Sequence, residues 1–353
     1  MSEQSSGATE VIKQETTYSK WQREEGVPVY KGFWSDPATI KLEPWDRKGC
    51  LGAYVTLADQ ESIDVQVLEV PAKSQTKPER YMYEDVVYVL SGRGATTVWY
   101  DGMEKRTFEW QEGSLFSAPI NSWRQHFNGQ GDKPARLVVF TTGPHLINLF
   151  HNRDFIYNNS FAFKDRYNAD PDYFSGKGVQ KAFALPEAGS TRYRNRVLKV
   201  WTTNLIPDLP KFDQLTDHNK AMYAEGAARS VDFVLTDSTL GGHIVDQQSG
   251  FYKKAHRHGP GAHLLILRGE GYSLIWEEGH ERVRVDWKPG IMFSPPDNWY
   301  HMHMSVGKGG YRQLAVRWGG VHRGVGRGID RDYGDMIEYE NEDPAIRAEF
   351  EAE

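Results

Sequence analysis

The chain has 353 residues, of which 25% are charged, with a formal net charge of -6 and a single cysteine, Cys50. The length allows two domains of ordinary size, and an acidic balance without a dense basic run argues against nucleic acid as the main partner. One cysteine excludes an intrachain disulfide and a cysteine-based zinc site, and no apolar stretch is long enough to span a bilayer as a helix.

Residues 1–17 are polar, aperiodic and without the apolar core of a signal peptide, which predicts a disordered tail on a cytoplasmic protein. From 18 to 150, short apolar runs alternate with turns. Val86 to Leu90 ends in Gly92-Arg-Gly94, Thr96 to Tyr100 runs into an acidic glycine turn, and Arg106 to Trp110 and Leu115-Phe-Ser follow. Short strands joined by hairpin turns predict an antiparallel jelly-roll barrel. Residues 151–200, rich in Asn, Asp, Arg and aromatics, predict an irregular, partly ordered segment packed between the barrels.

Residues 201–330 repeat the first unit. A constant offset of 177 carries Gly92 onto Gly269, Trp99 onto Trp276, Trp110 onto Trp287, Pro119 onto Pro296 and His126 onto His303. The same offset places Gly143 on Gly320 and His145 on His322. A register held over fifty residues predicts two homologous units, hence an all-β chain of two tandem barrels with an irregular connection. Residues 331–353 read as an acidic tail.

Chemistry concentrates in the second unit, in His256-Arg-His258-Gly-Pro-Gly-Ala-His263 and in His301-Met-His303. Side chains at i and i+2 of a strand share a face, so each His-x-His projects a pair of imidazoles together. Two facing pairs predict a pocket for a divalent transition metal. The matching positions in the first unit are Glu79, Tyr81, Val86 and Arg124. Arg is a permanent cation and Val is no ligand, so the first barrel should be metal-free. Counting alternately from His256 turns Lys254 and Tyr252 inward, where Lys254 either holds a substrate carboxylate or snorkels to solvent. Trp299 shares its face with His301, as a substrate wall or as core. His303 either works as acid/base or hydrogen-bond donor, or supports the ligands.

These residues resemble the two motifs of the cupin superfamily: His256-x-His258, His263 and Gly269 for the first, and Pro289-Gly290, Ser294-Pro-Pro and His301 for the second. Two copies imply a bicupin. Cupins usually carry Glu near the place of His263. His-Arg-His, Gly-Glu-Gly and Trp-x-His-x-His are similar to ring-cleaving dioxygenases of the gentisate and salicylate type. That resemblance implies His256, His258 and His301 as iron ligands, with His303 near substrate; Leu264 departs from it, because that family has arginine there. The whole chain resembles bacterial bicupins labelled ethanolamine ammonia-lyase-activating proteins, a label that implies little about chemistry. The expected function is an Fe(II) dioxygenase that cleaves a small aromatic or enolisable anionic acid with O2, with His263 as a fourth ligand. The alternatives are a non-oxidative lyase, decarboxylase or isomerase using Mn, Ni or Zn, or a small-molecule-binding activator. Exposed strand edges at the barrel rims predict a homo-oligomer, with neither nucleic acid nor membrane as partner.

Overall fold

A computed structural model describes residues 15–60, 62–167, 169–184, 197–217, 224, 227–259, 262–319 and 336–353. Each half forms two facing sheets, as the repeat predicts. In the first, strands Val29–Gly32, Cys50–Leu57, Asp64–Val70, Ala135–Thr141, Asp85–Ser91 and Leu115–Phe116 pair in that order. Their partner sheet runs Trp123–Asn128, Arg93–Trp99 and Arg106–Gln111. In the second half Ala228–Leu235, Gly241–Gln247, Tyr311–Arg317, His263–Arg268 and Met292–Phe293 form the larger sheet. Opposite it lie Phe251–Tyr252, Tyr300–Ser305, Gly271–Trp276 and Val283–Trp287.

The residue patterns follow from what each sheet faces. Arg106–Gln111 alternates, with Phe108 and Trp110 inside and the residues between them outside, because that sheet has one wet side. Asp64–Val70 and Asp85–Ser91 are buried along most of their length because both of their faces are covered. Leu68, Val87 and Val89 fill the first barrel, whereas Val65, Val67, Val86 and Tyr88 meet Ile244, Leu265, Leu314 and Val316 of the second. The two barrels therefore pack larger sheet against larger sheet. They also exchange edges: Trp34–Ser35 pairs with Met292–Phe293 of the second barrel, and Leu205–Ile206 pairs with Leu115–Phe116 of the first.

The connection at 151–200, expected to be irregular and partly ordered, holds a helix, Arg153–Tyr157, and the strand Val179–Ala184, which pairs with Val197–Thr203 at the edge of the second sheet. Two sequence expectations are corrected. The stretch expected to be an acidic tail carries a helix, Pro344–Glu351, capped by Asp343. Its Ile346 and Phe350, four residues apart on one helix face, pack in a cluster that includes Tyr252 and Tyr272. Finally, the offset slips by one residue in the last strand. Glu69 pairs with Arg136 as Asp246 pairs with Arg312, so Arg136 and Arg312 are equivalent at an offset of 176. The matches of Gly143 to Gly320 and His145 to His322 lose their register there, and Gly320 and His322 themselves lie outside the described residues. Residues 1–14 of the expected N-terminal tail also lie outside; the helix Thr17–Glu24 starts at its end, with Thr16 capping the Ser19 amide.

Candidate metal centre

Three histidines converge inside the second barrel. One ring nitrogen from each of His256, His258 and His301 lies within 4.8 Å of the others, the one such group of possible metal ligands among the described residues. His301 sits in Tyr300–Ser305, and His256 forms a bridge to it from the neighbouring segment. The ring centroids of His256 and His301 are 4.2 Å apart, and those of His258 and His301 are 5.0 Å apart.

The rings are preset for a metal. Nδ1 of His256 lies 2.9 Å from the carbonyl oxygen of Lys254, and Nδ1 of His301 lies 3.1 Å from that of Trp299. A carbonyl only accepts, so both Nδ1 atoms carry the proton and both Nε2 atoms keep a lone pair. His256 is 2% exposed, and its Nε2 is a buried nitrogen with no hydrogen-bond partner. An orphaned lone pair in such a place is costly unless something binds it, so the residues fit a divalent ion. Burial, then the charge of Lys253, lowers the basicity of His301 to a pKa of about 3; burial and the same lysine push His256 well below its ordinary value. These two therefore reach neutral pH without a proton to displace.

His303 belongs to the same cavity but is held differently. Its Nδ1 lies 2.8 Å from Ser273 Oγ, which accepts from Trp287 Nε1 at 3.0 Å. The hydroxyl can turn to donate or accept, so either His303 tautomer is satisfied and Nε2 is left toward the cavity. The first barrel repeats this chain in His126, Thr96 and Trp110, with no histidine cluster beside it. Support of the barrel interior thus accounts for the hydrogen bonds without a catalytic role for Ser273 or Trp287.

Four other expected residues lie elsewhere. His263 is fully buried but faces the first barrel, its ring 6.4 Å from Phe140 and outside the cavity lining; Leu264 lines the cavity instead. The equivalent Val86 packs in the same apolar contact, so His263 does not fit as a fourth ligand. Lys254 turns away to pair with Glu338 near the Tyr339 ring, and Tyr252 bonds Glu342. Trp299 packs on Phe33, at 5.7 Å, rather than in the cavity.

The swap of lysines has a geometric cause. Tyr252 pairs with Met304, yet His256 pairs with His301, so four residues on one strand oppose three on the other. The additional residue is a β-bulge, which reverses the alternation. Lys253 donates its amide to the His303 carbonyl at 3.2 Å and lines the cavity in place of Lys254. The first barrel carries the same bulge: Gln75 pairs with Phe127 and Glu79 with Arg124. The cavity has a volume of about 30 Å³, and its polar lining includes Arg317, Gln313 and His243. The last strand, YRQLAVR, is buried throughout, so its periodicity gives no facing, and His243 had no paired spacing to single it out.

In the first barrel the same positions hold charges. Glu79 accepts from Lys48 Nζ at 2.6 Å and Arg47 Nη1 at 3.0 Å, which hold its carboxyl down near a pKa of about 2 against the opposing effect of burial. Arg124, at the place of His301, forms an ion pair with Asp85 and lies 4.1 Å over the Tyr81 ring. A guanidinium built into the chain stands where the second barrel converges three ligands.

No family model matches the chain, and no curated protein matches it. Solved structures do. A mutant of the oxalate decarboxylase of Bacillus subtilis is 11% identical over 90% of this chain and 86% of that one, with a TM-score of 0.51. A second structure of that enzyme, described by its Mn(II) centres, is 12% identical over the same shares, with a TM-score of 0.50. The 7S globulin of Momordica charantia is 13% identical over 80% of this chain and 83% of that one, with a TM-score of 0.48. The fold is that of a bicupin, and identities this low bear on the fold alone. They do not reach the finer resemblances to ring-cleaving dioxygenases or to activating proteins. Among the described residues no helix is long and apolar enough to cross a membrane.

Proposed function

We propose that this chain is a metal-dependent enzyme that acts on a small anionic acid without net oxidation, as a decarboxylase or related lyase. The observation that carries this reading is the cluster His256, His258 and His301, with a preset His256 Nε2, in a narrow cavity. Among the described residues no Asp or Glu lines that cavity, so a bound dication would keep nearly its full charge and favour an anionic ligand. The likeness in fold to a decarboxylase described by Mn(II) centres supports Mn(II) as the first metal to test.

His256, His258 and His301 would hold a divalent ion, which would supply Lewis acidity to a carboxylate oxygen. The chain's own groups do the rest. His303 offers Nε2 to a substrate oxygen while Ser273 adjusts to either tautomer. Leu264, Ala262 and Ala315 exclude water on the apolar side. A second reading, an Fe(II) dioxygenase for a small enolisable acid, draws on the ligand count: three protein ligands leave positions for substrate and O2 together.

Untagged protein should be assayed for metal, then loaded separately with Mn(II), Fe(II) and Zn(II) and given a panel of two- to four-carbon acids. CO2 release without O2 uptake supports the lyase reading. Stoichiometric O2 uptake with Fe(II) alone replaces it with the dioxygenase. Metal-loaded protein that turns over neither way points to the activator reading.

A further inference from the structure

Each barrel braces a loop of the other, and the two braces can be compared. Ser294 donates its amide to the Phe33 carbonyl at 2.9 Å, and Ser117, its equivalent at the offset of 177, donates to that of Asn204 at 3.3 Å. A second tie comes from a tight turn. In the turns Leu57 to Gln60 and Leu235 to Ser238, the amide of the fourth residue bonds the carbonyl of the first, at 3.2 and 3.0 Å. Their central residues, Ala58 and Asp59 in one and Thr236 and Asp237 in the other, have φ between +48° and +53°. Residues other than glycine rarely adopt such angles, and they persist where the surroundings hold them.

The two turns differ in how far they reach. Thr236 Oγ1 lies 2.9 Å from Ser117 Oγ, and Ser238 Oγ lies 2.9 Å from Thr236 Oγ1, so this tie meets the loop of the first barrel at Ser117. Gln60, 6% exposed, extends further along the loop of the second. Its Nε2 donates to the Pro295 carbonyl at 3.3 Å and to Asp297 Oδ1 at 3.0 Å.

That loop runs directly into the metal ligands. Pro295 and Pro296 line the cavity. Asn298 donates its amide to the His258 carbonyl at 3.1 Å, and the Trp299 carbonyl accepts from His301 Nδ1 at 3.1 Å. A displacement at Asp297 is therefore passed to the supports of two ligands. Asn121 makes the corresponding bond to the Tyr81 carbonyl at 3.0 Å, in the barrel without a histidine cluster, where the shorter tie suffices.

We infer that Gln60 of the first barrel is a positioning residue for the metal centre of the second, which it serves by fixing the loop that supports His258 and His301. The barrel without ligands is thereby part of the metal site. The inference rests on the proposed metal centre; the hold on the loop is a property of the chain alone.

The test compares Gln60→Met, which keeps the bulk and removes the donor, with Thr236→Val, which removes the tie on the other side. Mn(II) affinity is measured by titration, Tm by scanning calorimetry, and exchange of the Asn298 and Trp299 amides by NMR on metal-free protein. Gln60→Met should weaken Mn(II) binding about tenfold, whereas Thr236→Val should lower Tm and leave affinity within about twofold. Gln60→Asn, shorter by one methylene, should weaken binding in the same direction. Without metal, the two loop amides should exchange at least about fivefold faster in Gln60→Met and within about twofold of wild type in Thr236→Val. Equal loss of affinity in both variants, or unchanged affinity and exchange in Gln60→Met, overturns the inference. Wild-type protein that takes up no metal refutes the metal centre instead, and amide exchange still decides whether Gln60 holds the loop.

Discussion

Replacing Asp85 by Ala tests whether the first barrel is held by a built-in cation. Arg124 is 1% exposed, and its other hydrogen bonds go to the carbonyls of Ser122 and Pro119, at 3.2–3.3 Å. Those carbonyls are neutral, so Asp85 is the carboxylate that answers the guanidinium directly. Removing one partner of a buried pair leaves an uncompensated charge and costs about 3–5 kcal/mol. For a barrel and its neighbour unfolding together, about 2–4 °C of Tm is lost per kcal/mol, or roughly 6–20 °C in total. Scanning calorimetry of Asp85→Ala should show a loss of this size. The double variant Asp85→Leu with Arg124→Met should recover most of it, because neither member of the pair then leaves the other's charge unanswered. Metal content should stay unchanged in both, since the histidine cluster lies in the other barrel. A Tm for Asp85→Ala within about 2 °C of wild type would refute the reasoning, as would a double variant no better than the single one.

The other predictions follow from the second barrel and from the N-terminal helix. His258→Ala should lower bound metal at least about tenfold, whereas His303→Ala should keep it and lose turnover, measured by elemental analysis beside activity; equal metal loss would make His303 a ligand. His263→Val should leave metal content at wild-type level, because Val86 fills the equivalent place; loss of metal would restore His263 to the ligand set. Asp64, buried under the helix Thr17–Glu24 and bonded by Tyr18 and Gln22, has its carboxyl pushed up to about 7, mainly by burial. A folded-state pKa above the unfolded value gives stability that is full below about pH 4 and is lost as pH rises to about 7, up to about 4 kcal/mol in all. Asp64→Asn should flatten that slope in Tm measured from pH 4 to 8, and parallel curves for the two proteins would contradict it.

The histidine cluster was legible because its members come in two closely spaced pairs, although His256 only bridges to the strand that carries His301, and the barrel pair because its register recurs. What stayed hidden depends on features that have no period. The bulge before His256 exchanges Lys253 for Lys254, yet no residue type in Tyr-Lys-Lys-Ala marks it. His263 begins HLLILR, a strand buried on both faces, where apolar residues on both sides conceal which face is inner. The sequence cannot show whether Arg317 enters the cavity or the barrel contact, because YRQLAVR is buried along its whole length. The helix at the C-terminus was missed because its acidic residues suggested solvent, whereas Glu349 pairs with Arg284 of the barrel, and its apolar anchor is as small as Ile346 and Phe350.

The exchanged edges bear on how the chain is made. Trp34–Ser35 emerges early, yet its pairing partner Met292–Phe293 is synthesised more than 250 residues later. At about 5–20 residues per second, that strand waits roughly 10–50 s on the ribosome with its edge open. The first barrel likewise stays unclosed at Leu115–Phe116 until residues 205 and 206 have left the exit tunnel. Trp34 is still 54% exposed after pairing. The brevity of each exchanged strand, two residues, limits how much edge a wrong partner could seize in that interval.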